Sequence, residues 1–192
     1  MGLSMRRALR RIATVALLVP GLALAASVLP LDLDGIIDRS GVAFEGRCID
    51  THSEIDPSSN QIVTLTTFEV KDALKGAPSN PYTIKQLGGE VGGVVNRIDG
   101  VPSFTVGEDY VVFLPGVSQL GFSSPVGLAQ GSFSVKQQAE GRTVGNGRDF
   151  REMVPQAALP ASAREKAAVA PGRLTRIDLN EFKQLVRQRA AR

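Results

Sequence analysis

Apolar residues recur with two different spacings along this chain. Leu33, Ile36 and Ile37 stand at i, i+3 and i+4, which predicts one face of a short helix ending before Ser40-Gly41. The apolar-rich run Val42 to Ile49 predicts a strand, and the polar run Asp50 to Gln61, with Pro57, Ser58, Ser59 and Asn60, predicts a hairpin loop. Ile62 to Ala73 follows, filled by Val63, Thr64, Thr66, Thr67, Phe68 and Val70. Such β-branched and aromatic residues favour a half-buried pleated segment. Further strands are expected at Tyr82 to Leu87, Tyr110 to Leu114, Val126 to Ala129 and Ser132 to Lys136. Near the C-terminal end, Leu179, Phe182, Leu185 and Val186 form one helical stripe. Asp178 and Glu181 form a D-x-x-E capping box at its start. That helix is expected to pack on the strands.

The first 26 residues follow another pattern. Arg6, Arg7, Arg10 and Arg11 precede an uncharged run broken by Pro20-Gly21 and closed by Ala23-Leu24-Ala25. A basic head, a short apolar stretch and an A-x-A site predict a secretory signal peptide over residues 1–26, cleaved after Ala25 or Ala26. The product is expected to be periplasmic or secreted, with no stable membrane insertion. The expected organisation is then a β-barrel domain over 27–150, a Pro/Ala-rich linker over 151–174 holding Pro155, Pro160 and Pro171, and a helix over 175–192.

The signal changes how the charge is read. The whole chain is net +3, with 22 basic and 19 acidic side chains. Four of the arginines lie in the signal, which leaves 18 against 19 and a net charge of −1. No basic block remains, so nucleic acid is not an expected partner.

Cys48 is the single cysteine, so an internal disulfide is excluded, and a small buried core residue is the expectation. Asp50, His52, Glu54 and Asp56 alternate, and on a continued strand they would share one face with oxygen and imidazole ligands for a metal. Within a hairpin loop they are instead expected to be solvated, and no metal or other cofactor is expected. Cys48 and His52, four apart, would share a strand face as a dyad, but the apolar setting of Cys48 and the lack of a G-x-S-x-G elbow weigh against it. Gly88-Gly89-Glu90-Val91-Gly92-Gly93 lacks the G-K-[ST] ending of a phosphate loop, and reads as a strand end and flexible loop that could shape a binding rim. No catalytic residue is assigned.

Three segments resemble known modules. Phe68 to Gly76, a strand ending in Lys75-Gly76, is similar to the second strand of netrin-like modules and tissue inhibitors of metalloproteinases. Phe104 to Leu114 resembles their later G-x-x-Y-x-x-F-L strand, and Gly127 to Phe133 looks like a pattern in small exported bacterial proteins. The resemblance covers Ser40 to Lys136 and implies a mainly β fold, a small five-stranded OB-type barrel with a short N-terminal and a C-terminal helix. Inhibitors of that family place an N-terminal cysteine on the protease zinc; here Cys48 is internal and the family's disulfides are absent, so that mechanism does not carry over. The expected function is a non-enzymatic interaction module for an envelope or secreted protein. The alternatives are a protease-inhibitor-like protein using a barrel edge or the Gly88–Gly93 loop, and a hydrolase with an unrecognised site.

Overall fold

The computed structural model describes residues 29–169 and 172–192. The predicted signal peptide lies outside the described residues. No helix among those described is long and apolar enough to cross a membrane.

The chain is mainly β. Helix α1 (Leu33–Arg39) leads into a long hairpin, β1 (Val42–Asp56) and β2 (Gln61–Lys75). Next come β3 (Tyr82–Leu87), the small hairpin β4 (Gly89–Val91) and β5 (Val94–Asn96), and β6 (Asp109–Leu114). A 3-10 turn (Leu128–Gly131) precedes β7 (Ser132–Gln138) and β8 (Gly141–Gly145). Helices α2 (Phe150–Met153) and α3 (Ala161–Val169), the short β9 (Ile177–Asp178) and helix α4 (Leu179–Ala190) complete the order. Seven strands form one antiparallel sheet ordered β3-β2-β1-β6-β7-β8-β9, and β4 pairs only with β5. The expected five-stranded closed barrel is therefore corrected. Strands β3 and β9 are edges of an open sheet, because β7, β8 and β9 extend it on one side instead of returning to β3.

Both faces of the sheet's centre are buried. On one face Val111 and Phe113 of β6 join Phe133, Val135 and Val144, and are covered by Ile36 and Ile37 of α1 and by Phe182, Leu185 and Val186 of α4. Phe113 sits edge-on to Phe133 at 5.6 Å and to Phe182 at 6.3 Å between ring centroids. The opposite face holds a second core of Phe44, Cys48, Phe68, Ile84, Phe104, Tyr110, Val112 and Leu114. Consecutive β6 residues thus serve alternate cores, as the two-residue period of a strand requires.

The helical stripe of α4 packs as expected, and Asp178 caps it by accepting from the amides of Asn180 and Glu181. A charge cluster fixes its position. Glu45, 2% exposed, pairs with Arg142 at 2.6 Å and with Lys183 of α4 at 2.7 Å, and Lys183 also reaches Asp72 at 2.8 Å. Burial works to lower the Lys183 ammonium, but its hydrogen bonds to Asp72 and Glu45 overcome this and hold it above the usual lysine range.

Three local expectations change. Within the expected Pro/Ala-rich linker over 151–174, Met153, Val154, Leu159 and Ala163 are buried in the first core. Residues 126–129 form a turn, with Gly127 and Leu128 both at positive φ, instead of a strand. Finally, β1 runs on through Asp56, and the hairpin loop shrinks to residues 57–60. Asp56 makes that turn by accepting from the amide and hydroxyl of Ser59 at 2.9 and 2.7 Å.

Candidate functional site: a hydroxyl-floored cleft

Strand β1 carries an extra residue, Ile49, between the pairs Cys48–Phe68 and Asp50–Thr67. A one-residue bulge exchanges the two faces of everything beyond it. Cys48 therefore stays fully buried among aromatics, whereas His52 lies on the opposite face with its side chain 53% exposed. The Cys48–His52 dyad is excluded by this geometry. Burial pushes the Cys48 thiol up from its usual range, which disfavours the nucleophilic thiolate.

The same strand continuation does place Asp50, His52, Glu54 and Asp56 on one face, as alternation requires. They do not act as one cluster. Asp50 lies 2.8 Å from His52 Nδ1, and Asp56 is engaged 2.9 Å from Lys85 Nζ. The hydrogen bonds from Lys85 and then from the Ser59 hydroxyl hold the Asp56 carboxyl below the usual range. Among the described residues no three His, Cys, Asp or Glu side chains converge on a common metal position.

Beyond the bulge the other face of the hairpin turns from aromatic to hydroxyl. Thr51 pairs with Thr66 and Ser53 with Thr64 across the ladder, and their hydroxyls meet at 3.2 and 3.1 Å. Thr64 also donates to the Gly88 carbonyl at 2.8 Å. Gln86 of β3, opposite Thr64, is 2% exposed and donates to the Pro102 carbonyl at 3.3 Å.

The glycine run builds a wall over this floor. Gly88 and Gly89, at φ +97° and +141°, turn the chain off the edge of β3. A Cβ at Gly89 would collide with Ser53 Oγ and lie 2.7 Å from Thr64 Oγ1, so only glycine lets β4 come this close. Gly92 and Gly93, at φ +58° and +80°, close the β4–β5 hairpin. The expected flexible loop is thus an ordered hairpin, and Val91-Gly92-Gly93-Val94 carried its turn signal. The chain then returns along residues 97–104, anchored by Phe104 edge-on to Phe68 and Tyr110, each at 5.0 Å.

Between floor and wall lies a cleft of about 580 Å³, lined by Thr51, Thr64, Thr66 and Gln86 below and by residues 88–90 and 95–104 around it. That volume falls within the range of small-molecule sites. The charged lining residues Glu90, Arg97 and Asp99 are exposed and stand on the wall, not on the floor. Sequence reading missed Thr51, Thr64, Thr66 and Gln86. What the floor offers is an array of neutral hydrogen-bonding groups; neither the thiol nor the imidazole lines the cleft. On the hairpin rim, Val94 and Val95 are 61% and 51% exposed, and the nearby Ile98 is 38% exposed. No family model matches the chain, and neither a curated protein nor a solved structure is significantly similar to it.

Proposed function

We propose that this chain is an exported, non-enzymatic interaction module that grips an envelope or secreted protein through the β4–β5 hairpin. The observation that carries this is the exposure of two adjacent aliphatic side chains, Val94 and Val95, beside a Gly92-Gly93 turn around which a Cβ would meet open space. Exposed aliphatic side chains on a raised element, with the Ile98 side chain near its base, supply apolar area that a partner can bury. The basic head and A-x-A site support export, and the resemblance to netrin-like modules and metalloproteinase inhibitors supports a binding role.

The test places a photo-crosslinking residue at Val94 and, as a control, at Gln138 at the far end of β7. The expected result is one crosslinked partner from the Val94 position only, lost when Val95→Asp is added. A partner captured equally from both positions, or unaffected by Val95→Asp, would remove the hairpin from the interface.

A further inference from the structure

The cleft floor has hydrogen-bonding capacity that the protein does not use. The Thr51–Thr66 pair holds two hydroxyl protons and makes one mutual bond, and neither hydroxyl has another partner among the described residues. Thr66 is 1% exposed. The Gln86 carboxamide spends one N–H on Pro102, and its Oε1 accepts from no described residue. Buried polar groups are ordinarily satisfied, so unspent donors and acceptors aimed at a cleft are matched by what enters it.

From this we infer that the cleft is a binding site for a neutral saccharide of about two sugar units. Sugar hydroxyls both donate and accept, as do the groups of the floor: threonine hydroxyls and a primary amide. The floor carries no charge, so it does not select a carboxylate, a phosphate or an ammonium group. An extended peptide fits less well. Strand addition needs a free sheet edge, whereas this floor is a sheet face whose backbone is paired within the β1–β2 and β2–β3 ladders. Leu87, Val95, Ile98, Val101 and Pro102 supply apolar lining for the C–H faces of the rings. The site shares Val95 and Ile98 with the protein contact proposed for the hairpin rim, but Val94 does not line it and its polar floor lies outside that contact.

The experiment is an amide-resolved NMR titration of the protein with cellobiose, maltose and di-N-acetylchitobiose, and with trialanine as a peptide control. At least one disaccharide should shift the amides of Thr51, Thr66, Gln86 and Gly100 with saturation below about 20 mM. Gln86→Leu and Thr66→Val, which nearly keep shape, should each weaken that binding about tenfold or more while amides outside the cleft stay in place. Val94→Asp should leave it unchanged, which separates this proposal from the protein-contact reading. The proposal is overturned if none of the three sugars moves these amides at about 20 mM, if only trialanine does, or if Gln86→Leu binds as the unaltered protein does.

Discussion

The two halves of the β1–β2 hairpin share strands, pairing and one continuous face, yet they are built for different ends. Before the Ile49 bulge that face presents Phe44, Cys48 and Phe68, all fully buried. Beyond it the face presents Thr51, Ser53, Thr64 and Thr66, with Gln86 alongside on β3. The aromatic half is closed by Phe104 and Tyr110, so most of its apolar area leaves water. The hydroxyl half is covered by a hairpin raised on Gly89, and a cleft remains. Burial of apolar area stabilises a fold without direction, whereas a row of polar groups contributes little net stability and presents directed bonds. One half of the sheet face carries stability, and the other presents the groups proposed for recognition.

The largest effect should come from the doubly buried centre. Phe113→Ala removes a fully buried ring lying against Phe133 and Phe182. It should destabilise by about 3–5 kcal/mol in chemical denaturation. An unchanged midpoint would mean that the sheet centre does not carry the fold.

Next in size is the tie between α4 and the sheet. Lys183→Met leaves Glu45 with Arg142 alone and Asp72 with Arg187, and should cost about 2–3 kcal/mol. The sign of its pH dependence follows from its raised pKa. The contribution is full below the unfolded lysine value of about 10.4 and is lost as pH rises through the higher folded value. Urea melts at neutral and strongly alkaline pH should therefore converge for the two proteins at the alkaline end.

Asp149 gives a smaller effect of opposite sign. Its carboxyl is pulled down to about 2, mainly by the Arg151 side chain, against burial, and with help from the Arg151 and Leu174 amides. The stability it adds is present above the unfolded value of about 3.9 and lost as pH falls through about 2. Asp149→Asn should lower stability by about 1–2 kcal/mol at neutral pH and flatten the acid limb of the melting curve. Equal acid sensitivity in both proteins would contradict this.

The smallest effect belongs to the hydroxyl half. Replacing both Thr51 and Thr66 by Val removes a mutual hydrogen bond without leaving an orphan, so stability should move by less than about 1 kcal/mol. A loss comparable to that of Phe113→Ala would make the hydroxyl ladder structural and erase the contrast.

Much of the covered half was legible in the sequence. The i, i+3, i+4 spacing of Leu33, Ile36 and Ile37 gave α1, and the Asp178–Glu181 box gave the start of α4. The short apolar run Tyr110 to Leu114 gave β6, whose Phe113 is fully buried. The open half was less legible for physical reasons. An exposed strand face is polar, so Asp50 to Asp56 looked like a loop. A bulge changes facing without changing composition, so the split between Cys48 and His52 could not be read from their spacing. Thr64 and Thr66 were legible as strand formers, but their pairing with Ser53 and Thr51 depends on register. The open sheet was missed because β8 and β9 are short, and because Leu159 and Ala163 find their core only through distant contacts.

The central claim is a division of labour along one sheet face, and the most direct measurement reads both quantities on two variants. Phe68→Ala and Gln86→Leu lie on the same face, one in each region. For each, the denaturation midpoint and the disaccharide affinity at the cleft amides are measured on folded protein. The account predicts that Phe68→Ala lowers stability by about 3–5 kcal/mol with affinity within about threefold, whereas Gln86→Leu, which removes the donor to the Pro102 carbonyl, costs no more than about 1–2 kcal/mol and weakens binding about tenfold or more. Both variants losing stability and affinity in the same proportion would contradict it.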